Sequence, residues 1–154
     1  MSMTAGCDHI ALVTQDLDRF IDFYTAVFDA DVTLDLFEEG ARHAMVDLGG
    51  GFRLHPFELV APNEYGTGSD EFFNRGHLDH LAIRVTDTES FEELRRRLVD
   101  AGASDGEIVD WGSVRTIWFT DPDGMGSEIA ISADGATRTR DDVVREPYLA
   151  SPTG

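Results

Sequence analysis

Apolar residues along this chain fall into short branched runs, each followed by a stretch with helical spacing, and the whole pattern occurs twice. The run "HIALVT" at residues 9–14 has the composition of a short strand. Asp16 stands where it can cap a helix. Leu17, Phe20, Tyr24, Val27 and Phe28 then recur at the spacing of one helical face. Three more short strands are predicted near residues 31–38, 42–48 and 52–60. The pattern restarts in "GHLDHLAIRVTD". Phe91, Leu94, Leu98 and Ala101 mark a second helix, Gly102 is a good stop, and strands follow near 107–111, 114–120 and 127–132. "EEG", "GGG", "WGS" and "DPDG" supply the turns. Each half reads β-α-β-β-β.

The two halves share a register. A shift of 71 places Asp8 on Asp79, His9 on His80, Ala11 on Ala82, Asp16 on Asp87 and Phe20 on Phe91. After a two-residue change in a connecting loop the shift is 73, and Arg42 meets Arg115, Gly51 meets Gly124 and His55 meets Glu128. Self-similarity at a fixed offset marks a duplicated unit. A module of roughly 60 residues seldom carries a stable core alone, whereas two packed together bury one. The expected organisation is a first module over 1–60, a linker over 61–77, a second module over 78–132 and a polar tail over 133–154. The expected fold class is α+β, with two tandem βαβββ modules forming a cupped mixed sheet around a cleft.

Composition narrows the function. Thirty acidic residues against twelve basic ones give a formal net charge of -18, and every base is an arginine. That charge disfavours nucleic acid and anionic membrane surfaces as partners. No segment approaches the ~20 apolar residues of a membrane helix, and the first residues lack the pattern of a signal peptide. Cys7 is the single cysteine, so no intrachain disulfide framework exists. The expectation is a cytoplasmic protein acting on a small molecule.

Four matched strand positions carry the candidate chemistry: His9 and His80 on the first strands, His55 and Glu128 on the last. Imidazole and carboxylate are ligands for first-row transition metals, and strands hold them rigidly. A lone histidine opening a strand is more often a core or edge residue, and Glu128 could equally point outward. The repetition is what favours a metal. A carboxylate facing a core is costly, and a metal would offset that cost. His77 reads as a loop residue, with a role as acid or base as its alternative. His43 reads as solvated. Arg42 and Arg115 read as surface charge or an anion contact. Cys7 has no base nearby in sequence. "GGGF" at 49–52 is a hairpin rather than a phosphate loop. Tyr65, Phe72, Phe73, Trp111 and Trp118 are candidates for core or pocket.

The segments "DHIALVTQDLDRFIDFYTAVFDADV", "DHLAIRVTDTESFEELRRRLVDAGA" and "FTDPDGMGSEIAI" resemble the vicinal oxygen chelate superfamily, over about residues 7 to 132. That superfamily includes glyoxalase I, extradiol dioxygenases, fosfomycin-resistance proteins, methylmalonyl-CoA epimerase and bleomycin-binding proteins. The resemblance implies paired βαβββ modules around one divalent metal ion per site, in a homodimer. It places the ligands at His9, His80 and Glu128, with His55 in the fourth position. The glyoxalase and epimerase pattern has glutamate or glutamine where "LHPFE" puts His55. The remaining triad resembles the two-histidine, one-carboxylate set of extradiol dioxygenases, so iron(II) is favoured, with nickel, zinc, cobalt or manganese as alternatives. His55 or His77 would serve as acid or base. The implied function is dioxygenase-like chemistry on a substrate chelated through two vicinal oxygens. The competing readings are a glyoxalase-like lyase or isomerase, and a metal-free drug-sequestering protein.

Overall fold

In the computed structural model, residues 7–60, 78–132 and 143–149 are described. The chain divides into two units, Met1–Gly68 and Ser69–Gly154. Each is a mixed sheet with one helix against it.

The first unit runs β1 (His9–Thr14), α1 (Leu17–Phe28), β2 (Asp31–Glu38), β3 (Ala41–Asp47) and β4 (Arg53–Leu59). Its sheet has the order β1-β4-β3-β2. β1 and β4 are parallel, because the α1 crossover returns the chain in the same direction, while β2, β3 and β4 form an antiparallel meander. Asp16 caps α1 by accepting from the Arg19 amide at 2.9 Å. Asp29 ends the helix in the left-handed conformation, φ 53°. Leu17, Phe20, Tyr24 and Val27 form the buried face of α1, and they meet Ala44, Val46 and Leu54 of the sheet. Full burial of each large side chain contributes about 1.5–3 kcal/mol.

The second unit repeats this design in β5 (Leu81–Arg84), α2 (Thr88–Asp100), β6 (Ile108–Asp110), β7 (Val114–Thr120) and β8 (Gly126–Ser132). Parallel β5–β8 pairing and the antiparallel β6–β7–β8 meander copy the first unit. Asp87, the repeat partner of Asp16, caps α2 through the Ser90 amide at 2.8 Å. Gly102 follows the helix at φ +68°, a conformation that favours glycine. Phe91, Leu98, Ile108, Ile117, Phe119 and Ile129 are all fully buried, and α2 lies against β8. The α+β class and the doubled βαβββ order expected from the sequence are both present.

The tail holds one element that the sequence pattern did not announce. Val144–Glu146 form β9, antiparallel to β6 at the sheet edge. Arg95 secures it, donating to the Glu146 carbonyl at 3.2 Å and lying 5.0 Å from the centre of the Tyr148 ring. No helix among the described residues is long and apolar enough to cross a membrane.

Candidate metal centre

Strand alternation sorts each sheet into a face covered by its helix and an opposite, open face. On β4, Leu54 and Pro56 are buried toward α1, so Arg53, His55 and Phe57 occupy the open face. On β3 the buried Ala44 and Val46 leave His43 there, and β1 adds His9. In the second sheet Ser127 and Ile129 are buried, which puts Glu128 on the open face with Trp118 of β7 as its direct cross-strand partner. The orientation of Glu128, open from spacing alone, is thereby fixed as away from the helix.

In the first unit three imidazoles adjoin. His43 Nδ1 and His55 Nε2 are 2.9 Å apart, at hydrogen-bond distance. The rings of His9 and His55 meet edge-on with centroids 5.5 Å apart. Phe57 stacks on His43 at 4.9 Å and tilts against His55 at 4.3 Å. The His43 side chain is only 12% exposed, so the expectation of a solvated residue fails. The neighbouring strand supplies an aromatic lid and an imidazole partner. Burial, and secondly the nearness of His43 and His9, lowers the pKa of His55 and favours its neutral form. Asp8 accepts from His9 Nδ1 at 2.9 Å and is also paired with Arg53. The His9 hydrogen bond and then the Arg53 charge hold its carboxyl below the ordinary aspartate range.

In the second unit His80 Nε2 lies 3.9 Å from Glu128 Oε1. Its other nitrogen, Nδ1, is 2.6 Å from Asp79 Oδ1. Two donors bound to one first-row ion at about 2.0–2.2 Å stand roughly 3 Å apart, so a small side-chain rotation brings this pair to ligating separation. The Trp118 ring flanks His80 edge-on, centroids 5.4 Å apart. It lies over Gly126, where a Cβ would sit 2.4 Å from an indole carbon. Among the described residues no group of three or more His, Cys, Asp or Glu side chains stands close enough to hold an ion as placed. The candidate donors occur as pairs, one in each unit. Their chemistry, an imidazole with a carboxylate and an imidazole beside a second imidazole, fits a divalent transition ion.

The remaining candidates resolve differently. Arg42 is engaged by Asp35 and Asp18, each at 2.8 Å. Arg115 pairs with Glu146 at 3.4 Å and lies over Phe91. Both are structural ion pairs. Cys7 is exposed and donates to the His9 carbonyl at 3.5 Å. Trp111 is 42% exposed rather than core. His77, Tyr65, Phe72 and Phe73 lie outside the described residues. The residues that sequence reasoning passed over are Asp8 and Asp79, whose match across the repeat was visible but carried no assigned role, and His43.

A doubled βαβββ chain with one histidine opening β1, a second immediately before β5 rather than on it, and a glutamate on β8 defines a class of protein, and comparison with known families agrees. The chain belongs to the Glyoxalase/Bleomycin resistance protein/Dioxygenase superfamily, whose family model matches residues 6–129. Among curated proteins it is similar to a 2-epi-5-epi-valiolone epimerase from Actinomyces sp, 29% identical over 166 aligned positions covering 95% of this chain and 88% of the relative. A glyoxylase/bleomycin resistance protein/dioxygenase domain from Frankia sp. EAN1pec superposes with a TM-score of 0.70 at 24% identity, over 86% of this chain and 95% of that one. The fosfomycin resistance protein FosX from Listeria monocytogenes, in complex with Mn(II) and sulfate, gives 0.59 at 20% identity, over 86% and 96%.

Proposed function

We propose that this protein is a divalent-metal-dependent enzyme that moves a proton at the hydroxyl-bearing carbon beside a carbonyl, an epimerase or isomerase acting on a small hydroxy-ketone. The candidate ligands for its ion are His80 and Glu128 in the second unit and His9 in the first. His55 acts with His43 as the proton-handling pair. One observation carries this reading over a four-ligand site: His55 Nε2 is taken by His43 Nδ1 at 2.9 Å. As an Nε2 ligand, His55 would have to give up that partner. A proton gained by His55 instead has a hydrogen-bonded neighbour, and Glu38 lies 3.9 Å beyond His43 Nε2. Phe57 shields both rings from water on one side. A bound divalent ion would polarise the substrate's carbonyl and stabilise the charge that develops as the proton leaves. Likeness to an epimerase over nearly the whole chain supports proton transfer. Mn(II) in a protein of the same fold supports a divalent ion. The reading extends to a homodimer.

A second reading, ring cleavage by an iron(II) dioxygenase, is favoured by the two-histidine, one-carboxylate donor set. Elemental analysis of chelator-free protein purified anaerobically comes first, beside a His80→Ala control. Near-stoichiometric metal in the wild type, lost from the variant, is the expected result; full metal content after His80→Ala would sink the assignment. Incubation in deuterated water then separates the chemistries. Deuterium entering a hydroxy-ketone at the carbon beside the carbonyl supports proton transfer. Oxygen uptake with a catechol and iron(II) supports ring cleavage instead.

A further inference from the structure

Two candidate histidine ligands, His9 opening β1 and His80 immediately before β5, are each preceded by an aspartate that binds Nδ1. The Asp8–His9 distance is 2.9 Å and the Asp79–His80 distance 2.6 Å. A carboxylate offers only acceptors, so the proton of this contact belongs to the imidazole. A neutral ring with its proton on Nδ1 carries its lone pair on Nε2. In His80 that is the nitrogen that faces Glu128 at 3.9 Å. We infer that Asp79, and to a lesser degree Asp8, are positioning residues that fix the tautomer of His80 and His9 and strengthen Nε2 as a metal donor. The inference rests on the proposed metal site and adds the residues that orient it. Hydrogen bonds of this kind from metal-bound histidine to carboxylate raise ligand basicity, and their loss lowers affinity about 10–100-fold.

The two dyads are unequal. The Asp8 side chain is 70% exposed, so water screens its charge from His9. The Asp79 side chain is 23% exposed and makes the shorter contact. Polarisation is stronger where the carboxylate is less solvated. The second copy therefore supplies the better imidazole donor, although the sequence repeat presents the two phrases as equivalent.

The test uses the full chain in two measurements. Nitrogen-15 NMR of the histidines in metal-free wild type reads the tautomer directly. Proton on Nδ1 of His80 is expected, and proton on Nε2 would overturn the inference. Isothermal titration with Mn(II) then compares wild type, Asp79→Ala, Asp79→Asn and Asp8→Ala. Asp79→Ala is expected to bind about 10–100-fold more weakly. Asp79→Asn keeps an acceptor oxygen without the charge, preserves shape against misfolding, and falls between. Asp8→Ala removes the same unit of net charge, yet loses less, which separates the dyad from long-range electrostatics. Equal affinity in Asp79→Ala and wild type overturns the inference alone. Failure of the wild type itself to bind a divalent ion overturns the metal site, and the inference with it.

Discussion

At the scale of single residues, Gly126 shows how tightly the open face of the second sheet is fitted. A Cβ at Gly126 would collide with the Trp118 indole, which flanks His80 and stands opposite Glu128. Gly126→Ala is expected to displace the indole and cost about 1–3 kcal/mol, seen as a lower unfolding midpoint and a changed tryptophan emission. The candidate site residues, as the proposal assigns them, were partly legible from the sequence. Repetition singled out His9, His55, His80 and Glu128, because matched positions in duplicated modules take matched places. His43 was not legible, since its burial comes from Phe57 and His55 on a strand ten or more residues away. The dyad aspartates show the opposite case. They were visible as "DH" twice, but side-chain hydrogen bonding is a property of rotamers, which spacing does not convey.

At the scale of elements, the two helices repay comparison. Their caps are the same residue at matched positions, and Asp87→Ala is expected to lower stability by about 1 kcal/mol in denaturant unfolding. The exposed face of α2 is laced with ion pairs. Glu93 accepts from Arg96 at 2.7 Å and from Arg97 at 2.9 Å, which pulls its carboxyl down to about 2. A carboxyl with a depressed folded-state pKa stabilises the fold above its unfolded value and stops doing so as pH falls. The contribution of Glu93 is thus lost between about 4.5 and about 2. Glu93→Gln should flatten the acid limb of the melting temperature against pH over that window. Helix periodicity and strand runs were read to within a residue or two, because duplication gave each segment a second witness. β9 has no second witness. Its three residues, Val144–Glu146, are all exposed and offer no apolar alternation, and edge pairing plus the Arg95 clamp create the strand.

At the scale of the whole molecule, charge dominates. A net charge of -18 on 154 residues makes the folded chain repel itself. Screening shortens that repulsion to about 10 Å at ~0.1 M salt and about 3 Å at ~1 M. The melting temperature is therefore expected to rise with sodium chloride over this range, and a flat or falling response in thermal scans would contradict it. An acidic envelope also enriches cations near the surface, which would raise the encounter rate of a divalent ion with the proposed donors. Trp118 then gives the protein a built-in indicator. Its ring lies 5.4 Å from the His80 imidazole and the chain has two tryptophans. An open-shell ion such as cobalt or iron bound at the proposed His80 position would drain the indole's excited state, whereas closed-shell zinc would leave it bright. Binding of an ion at the proposed site would thus be read, together with its electronic character, from the emission of the native chain without any label.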